Sequence, residues 1–89
     1  VLGQNYPNPF NPSTSISFEL PSPSHAVIEI FDVRGSLVRT LADETMSTGG
    51  HTVEWNGRDD SGSAVGSGLY FYRLTAVGRS QAKKMVILK

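Results

Sequence analysis

Apolar and polar residues alternate with a period of two along most of this chain, the spacing of strands with one buried face rather than of helices. In SISFEL (15–20), Ile16, Phe18 and Leu20 alternate with Ser15, Ser17 and Glu19. AVIEIFD (26–32) sets Ile28 and Ile30 on one face with Glu29 between them, VRGS (33–36) reads as a turn around Gly35, and LVRTL (37–41) as the returning hairpin strand. HTVEW (51–55) places His51, Val53 and Trp55 on one face and Thr52 and Glu54 on the other. LYFYRLTAV (69–77) is the most strand-like stretch: Tyr70, Tyr72, Leu74 and Ala76 share one face, and Leu69, Phe71, Arg73 and Thr75 the other. GRS (78–80) turns the chain into a last strand, QAKKMVILK (81–89).

The remaining stretches carry turn chemistry. ADETMSTGG (42–50) reads as a polar loop whose Gly49 and Gly50 are free to take positive φ, and NGRDDSGSAVGSG (56–68) as a long turn-rich connection with room for a short extended piece at Ala64 and Val65. About seven short strands with frequent turns and no helical period predict an all-β fold, an antiparallel β-sandwich. The expected core is Phe18, Ile28, Ile30, Leu41, Val53, Trp55, Tyr70, Tyr72, Leu74 and Met85. No internal repeat is evident. The opening NYPNPFNPST (5–14) holds Pro7, Pro9 and Pro12, which fix their own φ and push their predecessors toward extended backbone. Residues 1–14 are therefore expected to form a stiff lead-in that docks Tyr6 and Phe10 on a sandwich spanning 15–89.

Composition narrows the function more than the fold. The chain has 89 residues, no cysteine and no net charge. One thin core, burying roughly 60–65% of the unfolded surface, is what this length allows. All eight acids lie within residues 1–60, whereas residues 61–89 hold five bases (Arg73, Arg79, Lys83, Lys84, Lys89) and no acid. That asymmetry fits basic late strands beside acidic earlier ones, or a basic face offered to a partner. Overall neutrality, without a basic stripe interleaved with aromatics, argues against nucleic acid. No apolar run reaches the length of a membrane span and no signal peptide is visible. Val1 is not a start residue, so the chain reads as part of something longer.

Chemistry-bearing constellations are sparse. Asp59 and Asp60 in GRDDSG could offer oxygens to calcium, but the twelve-residue acidic loop is absent and these residues also simply favour turns. His25 and His51 have no ligand spacing around them, so no metal and no cofactor is expected. No glycine-flanked nucleophilic serine occurs, neither histidine has an evident orienting carboxylate, and Glu19, Glu29 and Glu54 fall on solvated strand faces, so no catalytic residue is assigned. Trp55, Tyr70, Phe71 and Tyr72 could offer an aromatic platform to a sugar ring, but strand spacing turns at least half of them inward. That leaves Phe71 and Phe31, on the outer phase of their strands, as the aromatics to check for exposure. The last strand could add to a neighbouring sheet through its backbone, although Lys83, Lys84 and Lys89 discourage such pairing.

The order NYPNPFNPST, IFDVRGSLVRTL, GGHTVEWNGRD, SGLYFYRL and KKMVILK resembles the type IX secretion system C-terminal sorting domain (type A) over essentially the whole chain. It also resembles the related immunoglobulin-like domain of the flagellar hook-capping protein. The resemblance implies an immunoglobulin-like sandwich that directs an N-terminal cargo protein, after transit through the periplasm, to the cell surface or the medium. The implied partners are the secretion shuttle or translocon and a sortase-like peptidase. The family's recognition motifs fall on Gly68, Tyr70 and Tyr72 and on Lys83, Lys84, Met85, Val86, Ile87, Leu88 and Lys89. Where its usual pattern has Pro-x-Gly, this chain has Gly66-Ser67-Gly68. Deletion of 83–89 is then expected to abolish export and leave the fold largely intact. The alternatives are an accessory module binding cell wall or carbohydrate, and a structural spacer in a flagellar or adhesin assembly.

Overall fold

A computed structural model describes residues 1–89 as two antiparallel sheets with no helix. The strands are β1 (Thr14–Leu20), β2 (Ser24–Phe31), β3 (Leu37–Met46), β4 (Gly49–Trp55), β5 (Gly68–Ala76) and β6 (Arg79–Ile87). The antiparallel sandwich expected from the alternation is present, with six strands rather than about seven. The Ala64–Val65 stretch contributes no strand; Ala64 forms only an isolated bridge to Arg58. No helix is long and apolar enough to cross a membrane.

β1 pairs with β4 in one sheet, and the other runs β3-β2-β5-β6. The connections β1→β2, β3→β4 and β4→β5 cross between sheets, so the core forms from residues far apart in sequence. It comprises the inward phases of β1, β2 and β5, with Leu2, Phe10, Trp55, Met85 and Ile87. Trp55 is fully buried, with Phe10 and Tyr70 edge-on at 5.8 and 5.6 Å between ring centroids. Leu41 and Val53, expected in the core, lie at its margin and stay half-buried.

Two stretches differ from the sequence reading. Residues 42–46 belong to β3, which leaves only Ser47 and Thr48 between β3 and β4. A bulge makes this possible: Ile28 faces Ala42 and Glu29 faces Thr40, so Leu41 is extra and the pairing resumes with polar residues. The lead-in, meanwhile, is divided between the two sheets. Gly3 and Tyr6 bond to Ser17 and Ser15 of β1, after which Phe10 exchanges backbone bonds with Val86 and Leu88 at the end of β6. Phe10 is buried, whereas Tyr6 bonds only through its backbone and its ring is 81% exposed.

A five-residue turn also occurs twice, unannounced by any longer repeat. In Asp32–Ser36 the first Asp N–H donates to Ser36 O, Gly35 N donates to Asp32 O, and Asp32 Oδ1 accepts from Arg34 N and Ser36 N. Asp59–Ser63 makes the same four bonds through Ser63, Gly62 and Ser61. The pattern D-x-x-G-S suits this turn because Asp bonds the backbone two residues on, and Gly35 and Gly62 take φ of 81° and 88°.

Candidate functional site

The residues singled out from sequence lie on two paired strands, except Leu88 and Lys89, which follow the end of β6. Gly68 faces Ile87, Tyr70 faces Met85 and Tyr72 faces Lys83. This pairing sorts them into buried and exposed groups. Tyr70, Tyr72, Met85 and Ile87 are buried; Val86 is half-buried; Gly68, Lys83, Lys84, Leu88 and Lys89 are exposed. A partner meeting the folded domain at this site therefore meets the exposed side chains and the outer edge of β6, while both tyrosines face inward.

The tyrosine hydroxyls fasten loops to the sheet. Tyr72 donates to Gly3 O at 2.7 Å and accepts from Asn5 N at 2.8 Å, which ties the lead-in to β5. Tyr70 donates to Gly66 O at 2.9 Å. Burial raises both phenols above their ordinary range; the Asp32 carboxylate adds to this at Tyr70, and the bond from Asn5 offsets part of it at Tyr72. Asn5 is itself buried: its Nδ2 donates to Thr14 Oγ1 at 3.0 Å and to Pro7 O at 3.2 Å, and Thr14 Oγ1 donates to Pro7 O at 2.8 Å. Sequence reasoning missed Asn5 and Thr14 as structural residues, although their place at the two ends of NYPNPFNPST was a signal.

The outer edge of β6 is only partly covered. Val86 N donates to Asn8 Oδ1 at 2.9 Å, Val86 O accepts from Phe10 N at 3.0 Å, and Lys84 O accepts from Gln4 Nε2 at 2.9 Å. Lys89 N donates to Ser67 Oγ at 3.0 Å, and its ammonium reaches Val65 O. Lys83 and Lys84 form no ion pair. The basic end of the chain is thus presented on a strand that is itself anchored by Met85 and Ile87.

The other candidate groups are internally engaged. Asp59 Oδ1 accepts from Ser61 Oγ at 2.7 Å and from Ser61 N and Ser63 N at 3.0 Å, and these bonds, led by the Ser61 hydroxyl, hold its carboxyl below the usual carboxylate range. Asp60 Oδ1 accepts from Thr40 N at 3.2 Å. No three His, Asp or Glu side chains gather as a metal-binding group. His25 pairs with Asp43 on the surface; His51 donates from Nε2 to Ser47 O at 2.8 Å and stacks on Phe18. Phe31 and Phe71 are half-buried, and the Arg73 guanidinium lies 4.7 Å from the Phe31 ring centroid while bonding Glu29 at 2.9 Å.

Residues 4–80 match the family model of the FlgD Ig-like domain. No curated protein matches the chain. Among solved structures, the chain is similar to PorZ, a surface component of the type-IX secretion system of Porphyromonas gingivalis, with 23% identity and a TM-score of 0.71. It is also similar to dimeric latent PorU from the same organism, with 27% identity and a TM-score of 0.76. A third similar structure is FlgD from P. aeruginosa, with 21% identity and a TM-score of 0.63. The alignments take in 97%, 96% and 83% of this chain but 11%, 9% and 59% of those chains. The chain therefore corresponds to one module of longer proteins.

Proposed function

The chain belongs to the FlgD Ig-like domain family, and on that premise we propose that it is a non-catalytic sorting module that directs a larger cargo protein through type IX secretion to the cell surface or medium. The observation that carries this reading is the alignment of 96–97% of the chain with small portions of two P. gingivalis proteins, one of them a surface component of that system. Recognition by a shuttle or translocon falls to the exposed subset of the site: Lys83, Lys84, Leu88 and Lys89, with Gly68 beside them. Tyr70, Tyr72, Met85, Val86 and Ile87 serve recognition by holding that strand in place. The cargo lies N-terminal to the module, and a sortase-like peptidase acts after export.

The test is residues 1–89 fused behind a periplasm-directed fluorescent reporter, in a strain competent for type IX secretion and in its translocon-deficient sibling. Surface or medium signal confined to the competent strain supports sorting. Loss of that signal in a folded Lys83→Glu/Lys84→Glu/Lys89→Glu variant assigns it to the basic end. Equal retention of the unmodified fusion in both strains removes the reading. The family match favours a second reading, an immunoglobulin-like structural spacer, which predicts no export signal in either strain.

A further inference from the structure

The two edges of the four-stranded sheet are open over matching stretches and carry opposite charge. On β6, the bonds from Val86 and Leu88 to the lead-in show that even-numbered residues turn their backbone groups outward. The backbone of Gly3 and Tyr6 bonds to β1 instead, and Leu2 N reaches β6 only through the inward-phase Gln81 side chain at 2.8 Å, so no backbone group bonds to the outward edge of Ser80 and Ala82. Lys84 O meets only the side chain of the exposed Gln4. On β3, Val38 O and Thr40 N bond to Asp60 before the bulge at Leu41. The bulge reverses the alternation, and beyond it Asp43 and Thr45 turn outward with no backbone partner. Asp43, Glu44 and Thr45 on one edge, and Ala82, Lys83 and Lys84 on the other, are all exposed.

We propose that β6 of one copy pairs antiparallel with β3 of a second copy, in the register Lys84 with Asp43, Lys83 with Glu44, Ala82 with Thr45 and Gln81 with Met46. Strand direction permits it: β3-β2-β5-β6 are antiparallel throughout, so a second copy set alongside without inversion brings β3 antiparallel to β6. Hydrogen bonding fits, because Ala82 and Lys84 turn outward and meet Thr45 and Asp43, which turn outward too. The faces also agree. Gln81 and Lys83 pair with the inward-facing Leu74 and Tyr72, and Glu44 pairs with the buried Ala26, two residues from Met46 opposite Ser24.

Charge then selects which edges meet. Two β6 edges would oppose lysines, two β3 edges would oppose acids, and only the unlike pair places opposite charges across the strands. Met46 of the second copy falls opposite Gln81, at the rim of a cleft of about 600 Å³ floored by Leu20, Leu74, Ala76 and Val77 and lined by Arg79 and Gln81. Pairing one edge to the other is heterologous, so it builds head-to-tail chains or rings rather than an isologous dimer. Opening the Lys84 edge requires only that the Gln4 side chain swing aside.

The inference does not depend on the sorting reading, and its test involves no export. The chain has no cysteine, so a Thr45→Cys/Ala82→Cys variant can be cross-linked only through the introduced thiols. They lie on opposite edges of one copy, and mild oxidation is expected to give a ladder of dimers, trimers and larger species. Roughly 1 M salt should suppress the ladder by screening the charges. Lys83→Glu/Lys84→Glu in the same background should abolish it, and mixing that protein with the Asp43→Lys/Glu44→Lys variant should restore it. Equal cross-linking of a Thr45→Cys/Ser80→Cys protein would overturn the register. A cysteine-free protein that sediments as a monomer at every concentration in low salt would overturn the association itself, even if a variant fails to fold.

Discussion

The Tyr72 hydroxyl sits between Gly3 O and Asn5 N, at 2.7 and 2.8 Å, so one side chain of β5 holds the lead-in against the sandwich. Tyr72→Phe keeps the ring and its packing but leaves the buried Asn5 N–H and the Gly3 carbonyl without this partner. A loss of about 1–3 kcal/mol follows, measurable by urea unfolding. The phenol ordinarily titrates near 10.0 and burial raises it, so its contribution is complete below pH 10.0 and disappears as pH rises through the folded value. The alkaline decline in stability should be smaller in Tyr72→Phe; an unchanged decline would show that Tyr72 ionisation does not contribute.

Removal of residues 83–89 deletes Met85 and Ile87 from the core together with the edge to which Phe10 bonds. That truncation should lose cooperative unfolding in circular dichroism, contrary to the expectation from sequence that the fold would survive. Loss of export by the truncated chain would therefore report unfolding, whereas the Lys→Glu substitutions isolate the exposed charges.

Trp55 is fully enclosed, with Phe10, Tyr70 and the Arg58 carbonyl around it; its indole Nε1 donates to that carbonyl at 2.9 Å. Trp55→Ala should cost about 3–5 kcal/mol, enough to unfold most of so small a domain. A folded and cooperative variant in a thermal melt would overturn the assignment of HTVEW to the core.

Val77 and Gly78 join β5 to β6 with φ of 53° and 69°, the signs of a type I′ hairpin turn. A β-branched residue is disfavoured there, and Val77 is exposed, so it gains little burial in return. Val77→Asn keeps the N–H that donates to Ser24 Oγ at 2.9 Å and should stabilise the domain by about 1 kcal/mol. Calorimetry should register a rise in Tm of roughly 4–8 °C; an unchanged or lower Tm would contradict this.

Asp59 is held below its usual value of 3.8 by the Ser61 hydroxyl and the backbone of its turn. A depressed carboxyl stabilises the fold above that value, and its contribution is lost as pH falls through the folded value. Asp59→Asn keeps an acceptor for the turn and should lessen the acid-induced decline below pH 3.8. Acid titration followed by fluorescence would test this, and identical profiles for the two proteins would refute it.

Much of this fold was legible in the sequence because a period-two pattern reports a buried face wherever a second sheet covers that face. Phe18, Ile28, Ile30, Trp55, Tyr70, Tyr72 and Leu74 are buried for that reason. The same rule was silent on β6, where Gln81 and Lys83 share the inward phase of Met85 yet stay exposed, Gln81 on the wall of the open cleft. It could not extend β3 through 42–46 either, since a bulge shifts the alternation and the strand there is polar.

The sequence by itself determined where five of the strands run and where β3 begins, their inward aromatics, the turns at Gly35 and Asp59 and the basic end of the chain. Tertiary structure decided that Phe10 enters the core while Tyr6 does not, and that the lead-in serves both sheets. It also decided which half of β6 stays open. Local pattern sets the face of a residue, but the opposite layer comes from distant segments, and only their packing determines whether that face meets protein or water.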